Sequence, residues 1–387
     1  MKPKMSSRER MRAAIRREEV DYVPLSTHFS ESQSAERKLR TWQQGNAHGE
    51  HALRHQVEEL GLDPVVYVHV SPGQHPEVTS RVWEEEASGN PHPILHKEIA
   101  TPAGPLTAAV RRTEDWPHGT DVPLQSDFCV SRFVKPWLQT MEDVERWAYL
   151  HMPPGEREIA AVQEEAKRVG TWAKRWNLAL MTPIGYGLTA ALQLFGVDMI
   201  YISMDNPEVV DRFLEIEHQT TMRRLEIALD PALGVDIVGR NGFYETTDFW
   251  SPGQLRDFLG KRLRAEIGLV HGAGRVCSYT VCTGIMPILD YLTELPFDAY
   301  LSIEPVLGNQ DMKVVAQKLG DCKCIWGGVS APVHIGEGTP EIVREAVREA
   351  FETFGRKGFI LHAVPSIRRQ WPWENVRAFI EEWKHLR

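Results

Sequence analysis

Several side chains that could do chemistry lie just beyond short apolar runs of the sequence. His28, Cys282, Glu304 and His362 each follow such a run. A thiolate can bind zinc or attack an electrophile, and carboxylates and imidazoles bind metals or exchange protons near neutral pH. The pattern predicts that Cys282, Glu304 and His362 share one solvent-reachable cavity at the ends of the strands.

Three of these residues also have a purely structural interpretation. Cys282 is either a ligand or nucleophile, or a packed thiol beside Thr283 and Gly284. Glu304, which precedes a proline, is a ligand, a base or a substrate contact, or else the partner of an arginine. His362 is a metal ligand or proton carrier, or a hydrogen-bonded core histidine.

Arginines near the same strand ends could bind an anion, because a guanidinium offers paired donors in a fixed fork. Arg240, Arg368 and Arg369 are the candidates for a carboxylate or phosphate clamp. The remaining polar residues beyond the apolar runs are Glu31, Asn241, Tyr244, Glu245, Tyr279, Ser330 and His334.

The elements that must position these groups alternate between short apolar strands and helices. This rhythm is typical of βα units with parallel strands and predicts an α/β fold, a (β/α)8 barrel. A doubly wound open sheet is the rival architecture, but neither a GxGxxG nor a Walker sequence occurs. The predicted strands are residues 23–29, 64–70, 178–182, 235–238, 275–281, 299–303, 323–326 and 358–361.

Helix-start signals and one insertion complete the outline. Ser6 with Glu9 forms a capping box that predicts an N-terminal helix, and Thr140 with Asp143 forms another. Residues 94–111 read as an inserted β-hairpin, and the Pro- and Trp-rich residues 116–137 as an irregular segment covering the site. We expect residues 1–387 to form a single barrel domain.

The composition narrows the function classes. The 387 residues carry a net charge of −9, which argues against a nucleic-acid partner and favours a small molecule or a protein. Five cysteines suit reduced thiols, and no signal core or membrane span is recognised, so we expect a cytoplasmic protein that does not bind membranes. Whether the chain forms a homodimer stays open.

The order of segments resembles the uroporphyrinogen decarboxylase superfamily over nearly the whole chain, which implies a (β/α)8 barrel. The resemblance is carried by residues 7–10, 23–25, 101–106, 244–252, 286–290, 326–329, 338–341 and 374–376. The true decarboxylases of this superfamily have an RQAGR sequence after the first strand that binds substrate carboxylates. Residues 28–34 of this chain read HFSESQS instead, which disfavours a highly carboxylated tetrapyrrole.

The chain resembles the cobalamin-dependent methyltransferases of the superfamily more closely. These bind zinc through His-x-Cys at strand five and a second cysteine after strand eight. The corresponding residues here are Thr280, Cys282 and Pro365. A zinc ion would therefore need Cys282 together with Glu304 and His362.

The resemblance implies an enzyme that moves a methyl group from a small donor, such as a methoxylated aromatic, to the cobalt of a corrinoid carried by a partner protein. Glu304, His362 and Tyr279 would be catalytic, and Asn241, Tyr244, Arg240 and His28 would bind substrate. The alternatives are a decarboxylase of another carboxylated substrate, in which arginines hold the carboxylate, and a non-catalytic binding barrel.

Overall fold

The computed structural model describes residues 4–30, 49–86, 89, 91–368 and 370–387. They form two compact units. Unit 1 comprises Met1–His69, Val162–Ile184 and Ala228–Arg387, and unit 2 comprises Val70–Ala161 and Gly185–Ile227. The expectation of a single domain stays a prediction, because compactness alone does not establish that a unit folds independently.

The described helices and strands are named in chain order. The α-helices are α1 (Ser7–Ile15), α2 (Glu50–Arg54), α3 (Asp127–Val130), α4 (Met141–Trp147), α5 (Glu156–Trp176), α6 (Gly187–Phe195), α7 (Met199–Asp205), α8 (Pro207–Ala228), α9 (Pro252–Gly272), α10 (Leu289–Glu294), α11 (Met312–Leu319), α12 (Pro340–Phe354) and α13 (Trp373–Leu386). The strands are β1 (Phe29–Ser30), β2 (Val66–Tyr67), β3 (Thr79–Glu85), β4 (Ile94–Thr101), β5 (Gly104–Arg111), β6 (Phe133–Lys135), β7 (Leu180–Pro183), β8 (Ile237–Asn241), β9 (Val276–Thr280), β10 (Ala299–Ile303), β11 (Cys324–Ser330), β12 (Phe359–Val364) and β13 (Ile367–Arg368).

Unit 1 contains a seven-stranded parallel sheet in the order β12-β11-β10-β9-β8-β7-β2. Each strand from β7 onward is followed along the chain by at least one helix, as the alternation of the sequence predicts. The fold class, a (β/α)8 barrel with an N-terminal helix, is confirmed.

The first predicted strand closes this sheet without forming a full ladder. Leu25 makes an isolated parallel bridge to Leu361 of β12, and its carbonyl accepts the amide of Asp63 at 2.9 Å, just before β2. Residues 23–29 and 64–70 were expected to be longer strands. Pro24 and Pro64 have no amide hydrogen, which explains why the ladder does not extend through them.

Helix α1 packs against the apolar interior of the sheet. Its N-cap is the predicted box, in which Ser6 and Glu9 satisfy each other's backbone amides. Met11, Ala14 and Ile15 of this helix lie in one buried cluster with residues of β7 to β12. The inward side chains of these strands are therefore a packed core at the end of the barrel near α1.

Unit 2 contains an antiparallel sheet of β3, β4, β5 and β6. The predicted hairpin is present, since β4 pairs with β5 from Ile94–Arg111 to Thr101–Gly104. Residues 116–137 contain only the short α3 and β6. The stretch Gly187–Asp205 is the one described helical segment that is long and apolar enough to cross a membrane, and 61% of it is buried, as in a core helix.

Candidate active site

A cavity of about 710 Å³ lies in unit 1 at the carboxyl ends of the parallel strands. Its strand-derived lining comes from consecutive elements: Pro183 of β7, Asn241 of β8, Thr280 of β9, and Leu301 and Ser302 of β10. In (β/α)8 barrels this edge carries the chemistry, because the loops that follow the strands can vary without disturbing the core.

The cavity has aromatic walls with a few polar groups between them. Phe29, Tyr67, Trp172 and Phe243 supply the rings. On α5, Glu165, Arg168, Val169 and Trp172 line the cavity at spacings of three and four residues, so one face of the helix forms a wall. Such a lining suits a small, largely apolar and planar ligand.

His28, which was predicted to bind substrate, reaches the cavity wall. The Tyr67 hydroxyl lies 3.1 Å from Nε2 and 3.2 Å from Nδ1 of His28. Burial raises the pKa of Tyr67, so its phenol stays protonated and is able to donate a hydrogen bond to the imidazole. His69 stacks on Tyr67 with ring centroids 6.1 Å apart and also lines the cavity.

His362 lies directly behind His28. The two rings meet edge to face with centroids 5.4 Å apart, and Nδ1 of His362 lies 3.1 Å from the carbonyl oxygen of Ser26. Burial, followed by the effect of His28, lowers the pKa of His362 to about 3, against the opposing carbonyls of Ser26 and Pro365. This imidazole is therefore neutral at physiological pH.

The pleat of β8 and β9 separates neighbouring candidates. Asn241 pairs with Thr280, and both line the cavity, whereas Arg240 pairs with Tyr279 on the other face, and neither reaches it. Successive strand residues point to opposite faces, so a shift of one position decides the role. Thr280 therefore lines the cavity, whereas its predicted neighbour Tyr279 does not.

Arg240 and Tyr279 belong to a buried polar network. Arg240 donates to Glu266 at 2.9 Å and to Glu245 at 3.1 Å, and the Tyr279 hydroxyl also donates to Glu245. The side chain of Arg240 is 4% exposed. Its charge is thus balanced by two buried carboxylates, and a substrate carboxylate would have to displace one of them.

Cys282 and Glu304 lie together just beyond β9 and β10. Nε2 of Gln310 donates to the carbonyl oxygens of both, at 3.1 and 2.7 Å. Burial, reinforced by Glu304, raises the pKa of Cys282 to about 12, so this thiol stays protonated. Burial also raises the pKa of Glu304, although the amides of Val306 and Leu307 bind its carboxylate. Neither residue is part of the described cavity lining.

The other predicted residues lie elsewhere. Tyr244 packs edge to face against Phe243 and Phe249, and Arg368 lies over Trp371. Glu31 and Arg369 are outside the described residues. The predicted roles remain predictions for Tyr244, Glu304, His362 and Tyr279. Three cavity residues had not been predicted from the sequence: Tyr67, Thr280 and Ser302.

Comparison with known proteins identifies the family. The profile of the family described as Uroporphyrinogen decarboxylase (URO-D) matches residues 113–386, which is more than half of the chain. The chain belongs to this family. No curated protein matches it.

Several solved structures resemble this URO-D family member in fold. A methyltransferase from Methanosarcina mazei is 17% identical, with a TM-score of 0.58 and 99% of each chain covered. A B12-independent methionine synthase from Shewanella sp. W3-18-1 is 12% identical, with a TM-score of 0.49 and 94% of this chain and 96% of that one covered. At 17% identity the likeness to the Methanosarcina mazei methyltransferase concerns the fold.

The side chains present do not assemble the zinc site that the resemblance implies. Thr280 and Pro365 stand where the resemblance expects two of the ligands, and neither side chain is a zinc ligand. His362 groups with His28, while Cys282 groups with Glu304. Among the described residues, no three His, Cys, Asp or Glu side chains lie close enough together to hold a metal ion. Zinc binding therefore stays a prediction, which metal analysis of the purified protein would test.

Proposed function

We propose that this URO-D family protein is a methyltransferase that takes the methyl group of a small methoxylated aromatic and passes it to the cobalt of a corrinoid carried by a partner protein. The cavity carries this proposal: its aromatic lining suits a substituted benzene ring, its volume of about 710 Å³ is ample for such a donor, and it lies at the edge of the barrel where chemistry occurs.

The charges around the cavity favour this donor class over a substrate with several carboxylates. Arg240, the predicted clamp, is already paired with Glu245 and Glu266. Arg168 is the one arginine of the described lining, and its guanidinium lies over the ring of Trp172, 4.9 Å from the centroid. A polyanionic substrate would need several convergent cations.

In the proposed reaction the carbon–oxygen bond of the methoxy group breaks. The methyl group goes to the reduced cobalt of the acceptor, and the aromatic oxygen keeps the bonding electron pair and must take up a proton. His28 is the group we assign to deliver that proton, because it lines the cavity and Tyr67 orients its ring. Neutral His362 behind it would keep the pair of histidines from carrying two charges.

The remaining expectations concern the location and the partners of the enzyme. Donor and acceptor are soluble, so we place the reaction in the cytoplasm, with no membrane or nucleic acid involved. The partner is a corrinoid protein, and homodimerisation stays open. Cys282 and Glu304 would act indirectly, by helping to order the loops that follow β9 and β10.

The test is methyl transfer from 2-methoxyphenol to added cob(I)alamin. The product, methylcobalamin, is measured by its absorbance. We expect His28→Gln to lower kcat roughly a hundredfold and Tyr67→Phe roughly tenfold, while Tyr201→Phe, a matched change at an exposed tyrosine, keeps the wild-type rate. Release of CO₂ from carboxylated aromatics without any corrinoid-dependent methyl transfer would favour the decarboxylase alternative.

A further inference from the structure

Strand β10 contains a bulge at Ser302, within the wall of the cavity. Leu301 pairs with Trp326 and Ile303 with Gly327, so Ser302 is an extra residue with no partner on β11. Its φ is +74°, a left-handed conformation that residues other than glycine, asparagine and aspartate seldom adopt.

The bulge changes which side chains face the cavity. In a regular strand, Leu301 and Ser302 would point to opposite faces, yet both line the cavity. Bulges are known to re-aim a side chain next to a functional site. Here the residue that the bulge adds carries a hydroxyl, and the wall to which it belongs is largely apolar and aromatic.

The surroundings hold this conformation from both sides. A Cβ on Gly327 would lie 2.9 Å from the carbonyl oxygen and 3.0 Å from the amide nitrogen of Ile303, so only glycine allows this approach. On the other side, Glu304 accepts two backbone amides, and Gln310 donates to the Glu304 carbonyl. A strained residue persists where its environment over-determines it, frequently at ligand sites.

Among the described residues, the hydroxyl of Ser302 has no hydrogen-bond partner. The residue is 5% exposed, and in the part of the chain that the structure describes it makes no side-chain hydrogen bond. Glycine would adopt the same backbone with less strain, so the structure gives no local reason for a serine. A cavity-facing hydroxyl without a partner is suited to bind an oxygen of a ligand.

We propose that Ser302 positions the donor by a hydrogen bond between its hydroxyl and a phenolic or ether oxygen on the aromatic ring. This proposal adds a donor-positioning residue to the proposed function, and it rests on that function for the identity of the donor. Ser302 is thus a specificity residue for oxygen-substituted rings.

Two substitutions separate binding from folding. Ser302→Gly removes the hydroxyl and relieves the strain, so we expect the melting midpoint to rise by about 2 °C while the KM for 2-methoxyphenol rises about tenfold and kcat changes less. Ser302→Ala should raise KM equally without raising the midpoint. A merely structural serine would leave KM unchanged in Ser302→Gly, and that result would overturn the proposal.

A second measurement holds even if 2-methoxyphenol is not the donor. In Ser302→Cys, methyl methanethiosulfonate should label residue 302 in the folded protein, and peptide mapping would locate the label. Ile303→Cys, at the next and fully buried position, should stay unlabelled. Failure of wild-type protein to bind or demethylate 2-methoxyphenol would count against the donor class alone. An unlabelled Cys at position 302 would overturn the assignment of Ser302 itself.

Discussion

At the scale of single residues, environment rather than residue type decides what each titratable group can do. Cys282 and His362 looked equivalent as ligand candidates, yet burial keeps one as a protonated thiol and the other as a neutral imidazole. Arg240, a candidate anion clamp, pairs with two buried carboxylates. Such roles depend on contacts between distant strands and are not readable from local sequence.

The buried His362 should make stability depend on pH. The unfolded imidazole titrates near 6.5 and the folded one near 3, so between these values only the unfolded chain takes up the proton. The contribution of His362 to the free energy of unfolding is therefore complete above pH 6.5 and should fall by about 2 kcal/mol by about pH 5.

Urea titrations of wild-type protein and His362→Gln at several pH values would measure this effect. The variant should lose stability less steeply than the wild-type protein as the pH falls below 6.5. Equal slopes for wild type and His362→Gln would show that this imidazole titrates normally in the folded state.

At the scale of elements, the geometry of β10 and β11 is the feature that shapes the cavity. Gly327 permits the close approach of Ile303 that accompanies the bulge. Helix termini, in contrast, follow local rules: Ser251 caps α9 and Thr339 caps α12, each before a proline at the first helical position.

Gly327→Ala should lower the free energy of unfolding by about 2 kcal/mol, because the added methyl group meets backbone atoms that cannot rotate away. Gly268→Ala is the matched control. It lies within α9 with open space around it, so alanine should stabilise the protein by up to about 1 kcal/mol. Chemical denaturation measures both, and a neutral Gly327→Ala would mean that β10 can relax away from β11.

At the scale of the whole molecule, the open question is how cooperatively the two compact units unfold. Cys129 in unit 2 and Cys277 in unit 1 are both buried, and burial raises the pKa of each thiol, which suppresses reaction in the folded state. They are therefore natural probes of local unfolding.

If residues 1–387 form a single domain, both thiols should become reactive at the same urea concentration in pulsed alkylation followed by peptide mapping. Cys322 is exposed and serves as the internal control, since it should react at every urea concentration. Two separate midpoints for Cys129 and Cys277 would replace the single-domain prediction with two folding units.

The sequence by itself determined the architecture, because strand–helix alternation, capping residues and proline positions are local signals that the barrel satisfies one after another. His28 and Asn241, two of the residues selected from the sequence, line the cavity. Only the tertiary structure decided that Thr280 faces the cavity while Tyr279 faces away, and that Ser302 is turned inward. The face that a residue occupies depends on pairing register and bulges, which are set by contacts between strands distant in sequence.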